Sequence, residues 1–411
     1  MTRTLIALVL FAFPLLGRAE ARPTFVYPQK EWTQADPARL GWSVMRLNKA
    51  KAYADAIGPS AVVVVHRGSL IAAWGDVDER HAVQSVRKSF LSALLGIAVA
   101  QKKLNVNATL AQLRIDDRPP LTAAEKRARV VDLLTSRSGI YHSALYEHPS
   151  WKKRKPARGT HAPGTHWFYN NWDFNALGTI YERATGSTIG DAFARSIARP
   201  IGMEDFRAKD VDYLTRTSAT EKFMENESDH RAYIFNMTAR DMARFGLLYL
   251  SEGRWNGRQI IPASWIREST RAIADTGSRG GYGYMWWVQP ESKAMPAMYY
   301  ASGAGGHRIV VIPKFELVVV HQVPSGGVGL FTQLRRRFFG SHSVEDEEIA
   351  RLLQLIIAAH PVSSRHRATA DLGPDARPAR VCVRRKCAGV AVEWVRLASR
   401  RVERRFRSAG A

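Results

Sequence analysis

Cysteine is nearly absent from this chain of 411 residues, and the two present, Cys382 and Cys387, both lie close to the C-terminus. A disulfide framework across the body and a thiolate-rich metal centre are therefore excluded. In an oxidising compartment the pair can still close a small local loop, or both thiols can stay unpaired. Acidic residues are also scarce, 37 Asp and Glu against 60 Lys and Arg, for a formal net charge of +23. Such a surplus invites a nucleic-acid reading, but its distribution argues against a specific one. From Ser363 onward there are thirteen Arg or Lys against four Asp or Glu, and the rest of the surplus is spread thinly. Residues 363–411 read as a solvated basic tail, dispensable or in weak contact with polyanions or a membrane surface.

No apolar run reaches the roughly 20 residues of a membrane span. The longest candidate, Leu5 to Leu16, follows Met1-Thr2-Arg3 and precedes Ala19-Glu20-Ala21, a small-x-small cleavage pattern. This predicts a secretory signal peptide over residues 1–21 and a periplasmic or secreted product, with an uncleaved anchor as the rival. Several catalytic signatures are missing. Gly-x-Ser-x-Gly, His-Glu-x-x-His, a Walker loop and a dinucleotide fingerprint do not occur, so no cofactor and no metal are called for.

What is present argues for a folded body: 45% hydrophobic residues and eleven tryptophans. Residues 43–58 (SVMRLNKAKAYADAIG) predict an amphipathic helix, and 61–75 (AVVVVHRGSLIAAWG) a hairpin around Arg67-Gly68. Near the other end, YGYMWWV predicts one strand, with its aromatic pair in the core. Residues 307–323 predict two strands around a proline turn, and 345–360 a helix with acids in its first turn. Strands from both ends (about 43–80 and 280–360) are expected in one antiparallel sheet covered by the terminal helices. The stretch from about 85 to 250 is expected to be mostly helical. The fold class is thus α+β, with residues 22–362 as its body.

The chemistry-bearing stretch is HAVQSVRKSFLSALLGIAVA, residues 81–100. A serine needs a base to become a nucleophile, and at i and i+3 on a helix Lys88 reaches Ser85. Burial and the positive end of the helix dipole both favour a neutral, proton-accepting lysine. The backbone N–H of Ser85 can help to stabilise an oxyanion. Alone, the pair also fits a helix N-cap followed by a solvated lysine.

Further blocks follow in order: VDLLTSRSGI, PGTHWFYNNWDFNALG, TARDMARFGLLYLSEGRWNG and ASGAGGHRIVVIPKFELVVV. With the Ser-x-x-Lys helix they make residues 58–360 resemble the penicillin-recognising serine hydrolases, which include class C β-lactamases, D-alanyl-D-alanine peptidases and related esterases. The resemblance implies a β-lactamase/transpeptidase-like fold, an antiparallel sheet flanked by helices plus a mostly helical subdomain, with the site in the cleft between them. It implies Ser85 as the acylated nucleophile, Lys88 as its proton partner and Tyr169 as a proton relay to the leaving group. Asn171 would hold Lys88 or a substrate amide.

The family's strand motif, Lys-Thr-Gly or His-x-Gly, is matched here by Ala301-Ser302-Gly303-Ala304, without a cation. That departure weakens β-lactamase and D,D-peptidase readings and leaves esterase-like and nylon-oligomer-hydrolase-like relatives. Ser302, Gly303 and Ala304 would line the pocket, and backbone N–H groups there would complete the oxyanion hole. His307 is a candidate replacement for the missing cation, or simply begins a strand. Tyr141 and His142 are further candidates for the pocket wall. The basic stretch YEHPSWKKRKPARGTHAPG either favours acidic substrates or faces water, and water is expected. The resulting expectation is a hydrolase acting on a small ester or amide through an acyl-enzyme. The alternatives are a true β-lactamase or D-alanyl-D-alanine peptidase, or a non-catalytic binder or sensor on the same fold.

Overall fold

The computed structural model describes residues 25–147, 149–215, 228–277, 280–325 and 343–361. The chain divides into two compact units, Met1–His366 and Arg367–Ala411. The second unit, residues 1–21 and Cys382 and Cys387 lie outside the described residues.

Helix α1 (Val44–Ile57) leads into the hairpin β1 (Ala61–His66) and β2 (Ser69–Gly75), then β3 (His81–Ala82), a 3-10 turn (Gln84–Val86) and α2 (Arg87–Ala100). Helices α3 (Val130–Leu134), α4 (Pro149–Arg154), α5 (Asn171–Thr185) and α6 (Ile189–Phe193) precede β4 (Val211–Leu214) and β5 (Ala232–Met237). Then come α7 (Ala239–Leu250), β6 (Arg254–Trp255), β7 (Arg258–Gln259), α8 (Ala263–Ser269), β8 (Ala274–Asp275), β9 (Gly281–Tyr282) and β10 (Trp287–Gln289). Strands β11 (Met298–Gly303), β12 (His307–Ile312) and β13 (Leu317–Gln322) and helix α9 (Asp346–Ala359) close the body.

An eight-stranded sheet, ordered β2-β1-β13-β12-β11-β10-β9-β8, joins the two chain ends, and its paired strands run antiparallel. The alternation of side chains along a strand explains how one sheet carries two cores. Val62, Val64, Val319 and Ile312 pack with Leu47, Ala54, Leu352 and Ile356 of α1 and α9. Val63, Val65, Val318 and Val320 face the opposite way, into the larger core with Phe90, Leu94 and Phe245 of α2 and α7. A fully buried valine contributes about 1.5–3 kcal/mol of transfer free energy, so both faces of the central strands hold the sheet.

Local chemistry sets the element ends. Ser43 caps α1, accepting from Arg46 N, and Gly58 ends it in the left-handed conformation. The β1–β2 turn has positive φ at Arg67 and Gly68, the geometry that matches hairpin twist. A Cβ at Gly68 would lie 1.6 Å from Val26 O, so the incoming chain can cross this turn only over glycine.

The hairpins and terminal helices fall where the sequence places them, with α9 capped by Glu345. Two features differ. YGYMWWV is not one strand: Met285 turns to positive φ, its N–H bonds Leu134 O, and Gly283 N–H bonds Trp286 O. The run therefore folds into a tight turn between β9 and β10. The helical half also contains a small sheet, β3-β5-β4, whose longest strand, Ala232–Met237, is buried at nearly every residue and so leaves no alternation in the sequence.

Candidate active site

Ser85 stands in the 3-10 turn that leads into α2, and Lys88 lies in the first turn of the helix. Lys88 Nζ is 2.6 Å from Ser85 Oγ. The lysine is only 2% exposed. Burial pushes its pKa well below the usual lysine range, the adjacent Arg87 guanidinium pushes the same way, and Glu147 acts weakly against both. A neutral amine in contact with a serine hydroxyl is a base in position. Arg87 is wholly buried, with its guanidinium 4.3 Å from the Tyr233 ring centroid and one nitrogen donating to Asn175 Oδ1.

The loop before α5 brings Tyr169 to this pair, with Lys88 Nζ 4.8 Å from the tyrosine ring centroid. Its position follows from the Ser-x-Ser-Gly segment. Ser136 Oγ donates to Phe168 O at 2.7 Å and accepts from Asn170 N at 3.0 Å, gripping the chain on both sides of Tyr169. Ser138 Oγ and Asn170 Nδ2 both donate to Asp173 Oδ1. Burial raises the Asp173 carboxyl well above the ordinary range, more than these hydrogen bonds lower it. The ring of Tyr169 is packed by Trp287, Trp151 and Phe174.

Asn171, the first residue of α5, donates from Nδ2 to Tyr146 O at 2.5 Å, while its buried Oδ1 has no hydrogen-bond partner among the described residues. Lys88 is thus not its partner here. Strand β11 ends against the Ser85 turn: a Cβ on Gly303 would lie 2.5 Å from Val83 O and 3.2 Å from Gln84 Cβ. Ser302 is half-buried and Ala304 exposed beside it. Arg308 donates to Gly303 O and His307 O and pairs with Asp346, so it holds the end of β11 from behind.

His307 lies fully buried, with Nε2 2.9 Å from Ser325 Oγ. Burial drives its pKa far below the ordinary histidine value, so it offers no cation to the cleft. Tyr141 bonds His161 Nδ1 at 2.9 Å, and burial raises its pKa to about 12. His142 is buried between Asp117 and Glu125, at 3.7 and 3.6 Å.

Sequence reasoning missed several residues. Gln84, at positive φ just before Ser85, accepts from Tyr146 OH at 2.5 Å. Glu147 is buried and paired with Lys155. Burial raises its pKa, while Lys155, Lys152 and Lys88 pull it down. Trp151 of α4 sits 5.1 Å from the Tyr169 ring. The one available signal was Glu147 itself, the sole acid between Tyr141 and Asn171 among five Lys or Arg. Among the described residues no group of three or more His, Cys, Asp or Glu is arranged to hold a metal.

Comparison with known proteins agrees with this architecture. The Beta-lactamase family model matches residues 49–325, more than half of the chain. An uncharacterised protein from Alkalihalophilus pseudofirmus is 21% identical over 315 residues, covering 69% of this chain and 89% of that protein. The fold is similar to that of a candidate 6-aminohexanoate-dimer hydrolase from Bacillus anthracis, with TM-score 0.58, 20% identity, and 84% of this chain and 89% of the other covered. It is also similar to that of a penicillin-binding protein homologue from Caulobacter crescentus, with TM-score 0.55, 16% identity and coverage of 78% and 99%.

Proposed function

The chain belongs to the beta-lactamase family of serine hydrolases, and we propose that it is an exported enzyme cleaving a small ester or amide through an acyl-enzyme on Ser85. The observation that carries this reading is the 2.6 Å contact between Ser85 Oγ and a buried, neutral-leaning Lys88. Lys88 takes the hydroxyl proton as Oγ attacks the substrate carbonyl, and the tetrahedral oxyanion is received by backbone N–H groups of Ser85 and Ala304. A proton passes through Tyr169 to the departing oxygen or nitrogen as its bond to carbon breaks. Water, giving up a proton to the same groups, then attacks the ester carbonyl and releases the acid and Ser85.

The name of the Bacillus anthracis protein, a 6-aminohexanoate-dimer hydrolase, supports cleavage of an amide. The cation-free stretch Ala301-Ser302-Gly303 and the buried His307 speak against a penicillin-type pocket on β11. Export rests on the N-terminal apolar run and its Ala-x-Ala. The basic segment 363–411 would add only salt-dependent contact with anionic surfaces.

The test is mass spectrometry after incubation with a fluorophosphonate, beside Ser85→Ala. The expected result is a single adduct on the Ser85 peptide, formed with loss of fluoride and absent from the variant. A folded protein that takes no adduct would overturn the nucleophile and favour a binder on this fold.

A further inference from the structure

Lys88 is one of two basic residues buried side by side at the start of α2. The other, Arg87, takes no part in the chemistry proposed above. It is wholly buried, and its hydrogen bond runs from Nη2 to Asn175 Oδ1 at 3.1 Å. Nε and Nη1 are buried without a hydrogen-bond partner among the described residues. The guanidinium carbon lies 4.3 Å from the Tyr233 ring centroid and 5.8 Å from that of Tyr146. A guanidinium keeps its charge throughout the working pH range, so placing one in a core costs folding free energy unless a carboxylate offsets it.

Among the described residues no carboxylate pairs with Arg87. The acids that act on its surroundings are matched elsewhere, Glu147 with Lys155 at 2.8 Å and Glu182 with Arg231 at 2.7 Å. Tyr233 is not a hidden anion either, because burial raises its phenol pKa more than Arg87 lowers it. Lys88 therefore sits between opposed charges. Beyond burial itself, Arg87 is the largest influence against its protonation, and Glu147 works the other way. Glu147 is in turn restrained by Lys155 and Lys152. The remaining neighbours of Lys88 Nζ are Ser85 Oγ and the rings of Tyr169 and Phe174, at 4.8 and 4.9 Å from their centroids.

We propose that Arg87 is a positioning residue that acts through Lys88: an unpaired guanidinium fixed in the core, it bars a second positive charge beside it and leaves the amine free to take the Ser85 proton. A fixed charge in a low-dielectric interior acts on its neighbour far more strongly than one in water. Without it, the pull of Glu147 on Lys88 would go unopposed by any charge on α2. This inference rests on Ser85 being the nucleophile, and one of the two measurements below does not depend on that reading.

Fluorophosphonate labelling of Ser85 is followed across pH in the full chain. Arg87→Gln removes the charge and keeps a donor for Asn175, Arg87→Met removes both, and Lys103→Gln, at an exposed position beyond the far end of α2, controls for net charge. The expected result for Arg87→Gln is an acid limb displaced upward by about one pH unit or more. Its labelling should thus fall about tenfold or more at the acid end and return to near the wild-type rate at high pH, while Lys103→Gln follows the wild type. Urea titrations give the second measurement, the stability of each protein relative to its Lys88→Met counterpart. The rise of that difference with pH should begin about one pH unit or more higher in Arg87→Gln than in the wild type. Unshifted profiles, a loss of labelling equal at every pH, or failure of both Arg87 variants to fold would overturn the role of Arg87. A folded wild type that takes no label at any pH would overturn the nucleophile. The urea onset would then decide the charge coupling by itself, which stands if the onset shifts and falls if it does not.

Discussion

Trp287 lies against Tyr169 with ring centroids 5.6 Å apart and planes inclined by 27°. The indole is 6% exposed, so it is both core and the backing of Tyr169. Trp287→Phe keeps an aromatic face and is expected to cost about 1 kcal/mol. Trp287→Ala is expected to cost about 3–5 kcal/mol and to slow Ser85 labelling more than tenfold. Chemical denaturation and labelling rates check both.

Burial of Lys88 disfavours its charged form. An isosteric Lys88→Met should stabilise the protein by about 1–2 kcal/mol at neutral pH while abolishing labelling. The unfolded chain binds a proton at Lys88 that the folded chain lacks. Wild-type stability relative to the variant should therefore rise with pH until the ordinary lysine value of 10.5 is reached. Labelling of the wild type should also rise with pH, through an ionisation lying well below that value. Urea midpoints and labelling rates across pH measure the two slopes, and a flat difference would contradict the neutral lysine.

Gly303 is needed for closeness rather than for flexibility. A methyl there meets the backbone of Val83 at 2.5 Å, and backbone cannot swing aside. Gly303→Ala should cost about 1–3 kcal/mol and lower the labelling rate at least tenfold by displacing β11 from the Ser85 turn. Ala304→Ser, on an exposed position, should keep the fold's stability, as thermal melts would show.

Acid should weaken the packing of Trp42, His66 and His360. His66 and His360 sit with their Nε2 atoms 3.3 Å apart, and Trp42 Nε1 donates to His66 Nδ1. Burial, and for His66 the neighbouring His360, lowers each pKa from 6.5 to about 4. The groups facing them are Arg67, which disfavours protonation of both, and Glu316 and Phe315 O, which favour it at His360. The folded state thus binds fewer protons than the unfolded one, and stability falls as pH drops from about 6.5 towards about 4. His360→Gln should flatten that fall, as urea titrations at pH 7 and pH 5 would reveal.

The sequence by itself determined whatever depends on neighbours along the chain. The three-residue spacing of Ser85 and Lys88, the Arg67-Gly68 turn and the helix over residues 43–58 are short-range, and each is present in the fold. So is the joining of the first and last strands into one sheet, where β1 pairs with β13 in register from Ala61–Gln322 to His66–Leu317. Tertiary structure alone decided what surrounds the serine. Trp287 reaches Tyr169 only because Met285 turns the chain. Tyr146 meets Gln84 across 62 residues, and His307 points into the core because β12 is covered on both faces. Such choices depend on which side of an element is buried by a distant one, and spacing along the chain does not carry that information.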